Sequence, residues 1–109
     1  MSSEFTIQIK GANWLIKKLT PRKFKKIHEH SEWAAVTLPS KKEIHVNGDT
    51  YLPKDIRHEL VHAFVEETNT NDVDMSAYDM EELCCNLFAE FGIDIIKLSD
   101  QIITKFKTE

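Results

Sequence analysis

Apolar and polar side chains alternate through Phe5-Thr6-Ile7-Gln8-Ile9, the period of a strand with one buried face. Gly11-Ala12-Asn13 supplies turn chemistry and Trp14-Leu15-Ile16 resumes the apolar run, so the pattern predicts a hairpin. Thr20 before Pro21 marks a helix start. The hydroxyl can cap a free amide, and proline at the first helical position sacrifices no internal hydrogen bond. This short helix is expected to reach about His28 or Glu29. Trp33 to Leu38 and Glu43 to Val46 are the next strands, separated by Pro39-Ser40-Lys41-Lys42 and closed by Asn47-Gly48. The expectation is a small antiparallel sheet.

The period changes after Pro53. Ile56, Leu60, Ala63 and Phe64 recur at helical spacing, predicting a helix to about Asn69, ahead of the polar stretch Thr68-Asn69-Thr70-Asn71-Asp72. A second helix begins near Ala77 to Asp79 and carries a long apolar stripe: Leu83, Leu87, Phe91, Ile95, Leu98 and Ile102. Gly92 is a candidate kink or break within it. Strands followed by two long helices define an α+β fold in which those helices cover one face of the sheet.

A chain of 109 residues has room for one hydrophobic core, so residues 1–109 are read as a single domain. With 41% hydrophobic and 29% charged residues and three each of Gly and Pro, disorder and collagen-like structure are excluded. No apolar run approaches the roughly 20 residues that cross a bilayer, and no secretory leader pattern opens the chain. Cys84 and Cys85 are adjacent and cannot staple distant segments, which suits a reducing, cytoplasmic compartment. Charge is uneven: residues 1–45 carry nine Lys or Arg against four Asp or Glu, and residues 46–109 five against fourteen. The basic cluster Lys17, Lys18, Arg22, Lys23, Lys25 and Lys26 has the cations that phosphates require. Phe24 and Ile27 nevertheless make it an amphipathic helix with a solvated basic face, and nucleic-acid binding is not expected.

The chemistry lies in His58-Glu59-Leu60-Val61-His62, inside the first long helix. Residues four apart share a helix face about 6 Å apart along the axis, so both imidazoles can converge on one metal at roughly 2.0 to 2.1 Å. Glu59 points about 100° away from His58 and suits a general base better than a ligand. His28, His30 and His45 show no ligand spacing with any neighbour.

This segment resembles the signature of the zincin metallopeptidases, His-Glu-x-x-His on a helix that follows a sheet. A metzincin would carry Gly and His where this chain has Val65 and Thr68, and no histidine follows His62. The resemblance is therefore gluzincin-like, implying a minimal zincin-like fold and a third Zn2+ ligand from the next helix. Asp79, Glu81, Glu82 and Glu90 are the candidates, with Cys84 and Cys85 as non-carboxylate alternatives. Glu82, which has Asn86 four positions on as a hydrogen-bonding partner for the site, is preferred, and Glu81 is second. Residues 81–89 also resemble the Glu-containing helix of ImmA/IrrE-type peptidases, and more closely small zincin-like proteins of phages and mobile elements. Tyr78, one turn before Glu82, is a candidate oxyanion donor, although a plain helix-start aromatic is the simpler reading. The implied activity is zinc-dependent hydrolysis of a peptide bond in a protein or peptide partner. The alternative is an inactive zinc-binding protein acting as a binding module. The strand Glu43 to Val46 is the expected edge for substrate backbone. Oligomeric state is left open.

Overall fold

The computed structural model describes residues 3–29, 32–48, 50–68 and 76–108. The chain runs β1 (Ser3–Ile9), β2 (Ala12–Leu19), α1 (Pro21–His28), β3 (Ala35–Leu38), a single 3₁₀ turn (Pro39–Lys41), β4 (Glu43–Asn47), α2 (Pro53–Glu67) and α3 (Ala77–Lys107). The α+β reading holds. His30 and the polar connection beyond Thr68 lie outside the described residues.

β1 and β2 form the expected hairpin, with Ile9 paired to Ala12. The turn falls on Lys10 and Gly11, one residue earlier than the sequence suggested. Both have positive φ, 52° and 84°, the two-residue turn whose twist matches a hairpin. Strand order is β1-β2-β4-β3. The outer pairs are antiparallel as expected, but the central pair, β2 with β4, is parallel. The reason is the excursion through α1 and β3, which brings the chain back to β2 in the same direction, as a parallel pairing requires. β4 is thus interior and β3 is the edge, correcting the expectation that Glu43 to Val46 offers a free edge.

Alternation sorts the sheet into two faces. Ile7, Ile9, Trp14, Ile16, Ile44 and Val46 face α2 and α3 and form the core with Ile56, Leu60, Phe64, Leu87, Ile95 and Ile102. α3 runs unbroken for 31 residues, with Gly92 buried and not splitting it. α2 ends at Glu67, capped by Thr68.

The opposite face carries α1. Thr20 Oγ1 accepts from the Lys23 amide at 3.2 Å, as its position before Pro21 led one to expect. Phe24 is fully buried, but Ile27 is half exposed, so one aromatic anchors the helix. Gly48 ends β4 at φ 44°, and a Cβ there would lie 2.7 Å from the Pro21 ring, so the start of α1 packs directly on this turn. Beneath α1 runs a chain of hydrogen bonds that sequence spacing did not reveal. His45 Nε2 lies 2.8 Å from Glu43 Oε1, and His45 Nδ1 lies 2.9 Å from His28 Nε2. The carboxylate can only accept, so Nε2 of His45 donates to it, and one proton is shared between His45 Nδ1 and His28 Nε2. Two of these residues could have been grouped from the sequence, since positions two apart on a strand share a face.

Two carboxylates tie the layers together. The hydrogen bond from His45, helped by Lys17, holds the Glu43 carboxyl below the usual range. Burial pushes Glu67 upward, yet hydrogen bonds from Lys42 at 2.6 Å and Trp14 at 2.8 Å outweigh it and leave Glu67 lowered as well. A carboxylate with a lowered folded pKa stabilises the protein above its unfolded pKa, and that contribution disappears as pH falls through the folded value. The urea midpoint is therefore expected to fall as the pH drops below the usual glutamate range and through the lowered folded values. Lys42→Met should shrink this pH-dependence; an equally steep dependence in that variant would remove Glu67 from the account.

Candidate metal centre

α2 is started by Pro53 at its first turn, with Asp55 Oδ2 accepting from the Leu52 amide at 2.7 Å. Ile56, Leu60, Ala63 and Phe64 bury one face of the helix against the sheet and α3. That anchoring turns His58 and His62 outward, and both are exposed. Their rings meet with centroids 4.9 Å apart and Nε2 atoms 3.2 Å apart. Two nitrogens on a tetrahedral ion at about 2.05 Å are separated by roughly 3.3 Å. The Nε2 separation is thus close to that of two imidazoles on one zinc ion, and it is equally the distance of a hydrogen bond between the two rings.

Glu59 faces the sheet and is only 8% exposed. Its Oε1 accepts from Thr37 Oγ1 at 2.6 Å, while the same hydroxyl lies 3.2 Å from the Glu59 carbonyl oxygen. A hydroxyl has one proton to give, and the shorter contact to the charged acceptor takes it. Thr37 can do this because it pairs with Ile44 and so shares the helix-facing side of the sheet. Nothing in the sequence singled it out, since its contact with Glu59 spans 22 residues.

Two adjoining depressions lie between α2 and the β3 edge, and both are lined by Trp33, Ala35 and Glu59. The one on the His62 side, about 460 Å³, is largely apolar through Val36, Pro39 and Val65. The one on the His58 side is more polar, with Glu32, Lys54 and Asp55. Glu59 stands where they meet. Trp33, 41% exposed, is a trough residue that the sequence placed only in a strand. Glu66 is half-buried and lines the apolar part of the trough.

Glu82, Asn86 and Tyr78 lie on the first turns of α3 and are all exposed. Glu82 stands roughly 140° round the helix from buried Leu87, and Tyr78 is 70% exposed. Among the described residues no three His, Cys, Asp or Glu side chains gather into a metal-binding group, so Glu82 is not brought to the imidazole pair. Glu81, Cys84 and Cys85 are exposed on the same stretch. Among the described residues no helix is long and apolar enough to cross a membrane. No protein-family model, curated protein or solved structure matches the chain.

Proposed function

We propose that the chain is a zinc-dependent peptidase of the zincin type, acting on a protein or peptide partner in the cytoplasm. The observation that carries this reading is the pair of Nε2 atoms 3.2 Å apart on an exposed helix face, with Glu59 lining one depression together with His62 and the adjoining one together with His58. His58 and His62 would hold the zinc ion; Glu82, the third donor the resemblance implies, with Asn86 four residues on, is not beside them in this structure and would have to reach them by a movement of the start of α3. When bound, zinc supplies Lewis acidity to the water and the carbonyl group placed against it. The chain's own groups do the rest. Glu59 takes a proton from the attacking water and returns it to the leaving amine. Thr37 holds the Glu59 carboxylate in position, so the base need not be ordered at the moment of reaction. β3, at the sheet edge beside the trough, is suited to align an extended substrate by strand addition. The apolar depression on the His62 side would receive a bulky hydrophobic side chain.

Metal content after zinc loading and dialysis tests the ligand set. Wild type should retain about one zinc per chain. His58→Ala and His62→Ala should each weaken binding by a factor on the order of 10² or more, and Glu82→Ala should also weaken it. Zinc retained by the double histidine variant would sink the proposal. Retention by Glu82→Ala together with loss by Glu81→Ala would move the third donor to Glu81.

A further inference from the structure

α1 is the most basic element of the fold. Residues 21–28 carry Arg22, Lys23, Lys25 and Lys26 and no acid, and all four cations are exposed. A solvated basic face would be ordinary, but Ile27 stands in it 50% exposed while Phe24 alone is buried. At about 100° per residue, Phe24 and His28 point at the sheet, and Arg22, Lys26, Lys23 and Ile27 follow one another round the open side within about 140°. Together with Thr20 these four line a shallow depression of about 590 Å³ whose surface is mostly apolar. Ile27 and the stems of the basic side chains thus form an apolar floor, and their charged ends form its rim.

We propose that α1 docks an acidic segment of a polypeptide partner, with one hydrophobic side chain seated in the depression and its acidic neighbours paired with Arg22, Lys23 and Lys26. Charge complementarity selects an anion, and the apolar floor selects a peptide among anions. A nucleic-acid backbone would use the cations and leave Ile27 without a role. The rest of the chain also repels a long polyanion, since residues 46–109 carry five Lys or Arg against fourteen Asp or Glu. A membrane surface would need a broad apolar face, whereas this helix is eight residues long and turns Phe24 inward. Position supports the same occupant. His28 at the end of α1 meets His45, whose ladder partner is Val36 of β3, one strand spacing of about 4.8 Å away. A polypeptide added along the β3 edge can therefore reach α1 within a few residues. That the docked polypeptide is also the substrate rests on the peptidase reading; the docking itself stands on α1 alone.

Fluorescence anisotropy of a short labelled peptide of Glu and Gly with one central Leu, titrated with the full chain in the presence of EDTA, is the test. Wild type should bind with Kd on the order of 10 to 100 µM at about 50 mM salt, and at least ~3-fold more weakly at about 200 mM. Lys23→Glu and Lys26→Glu replace exposed side chains, should keep the circular dichroism of the fold, and should each weaken binding at least ~5-fold. Ile27→Ser should weaken it about 3- to 10-fold, and so should a peptide with Gly in place of its Leu. A wild type that does not bind overturns the proposal, as does binding indifferent to both lysine variants, because the peptide would then sit elsewhere. Indifference to Ile27→Ser and to loss of the Leu overturns the apolar seat. Tighter binding of single-stranded DNA or of phosphatidylserine vesicles at the same salt overturns the choice of a peptide. Zinc content is read separately on the same protein: peptide bound by a chain that takes no zinc supports the docking surface and removes only the peptidase reading, and zinc without peptide binding does the reverse.

Discussion

Glu59→Gln is expected to reduce peptide hydrolysis by a factor on the order of 10² to 10⁴ while leaving zinc content unchanged. The amide has the volume of the carboxylate and can still accept from Thr37, so the fold around a residue only 8% exposed should persist. What it loses is the ability to take a proton. A fluorogenic peptide library read alongside bound zinc separates the readings. Activity undiminished in Glu59→Gln would remove this residue as the base. Zinc binding by a wild type that cleaves nothing would leave a binding module that has kept the metal. Trp33 gives a second signal, since it sits in the trough at 41% exposure and its fluorescence should respond to an occupied site.

The largest loss of stability is expected from Trp14→Ala. Trp14 has no exposed surface, sits in the central cluster and donates its indole N–H to Glu67 at 2.8 Å. Removing so large a buried ring typically destabilises a domain by about 3 to 5 kcal/mol. Domains of this size are stable by only about 5 to 15 kcal/mol, so the melting temperature should fall by more than about 10 °C. Trp14→Phe keeps most of the ring and removes the donor; Lys42 still holds Glu67, and the loss should be about 1 to 3 kcal/mol. Thermal melts of the two variants would check this. Equal losses would mean that the hydrogen bond, and not the packing, dominates at this position.

The parts legible in the sequence are those set by neighbours along the chain. The spacing of His58 and His62 fixes a shared helix face whatever the tertiary structure, and the structure brings their Nε2 atoms together. Thr20 and Pro21 announce α1 for the same reason, and the apolar stripe from Leu83 to Ile102 announces α3. Gly92 gave a misleading signal, because its local weakness is overridden by burial within a long packed helix. Strand order was not legible. Both β3 and β4 show strand character, and only the parallel seam with β2 decides that β4 lies inside and β3 at the edge. Thr37 and the chain Glu43–His45–His28 escaped for a related reason: each joins elements whose approach depends on the whole sheet. The relation of Glu82 to the histidines is likewise a matter of how α2 and α3 cross, which spacing within either helix does not contain.

The parallel seam also bears on the order in which the molecule assembles. β1 with β2 and β3 with β4 are each local hairpins that can form early, at little loop-closure entropy. Joining β2 to β4 requires bringing Leu19 and Glu43 into one ladder across the whole of α1 and β3, a non-local and slower event. Thr37 and Glu59 both lie in the stretch from β3 through α2, so the bond that orients the proposed base can form without waiting for that seam.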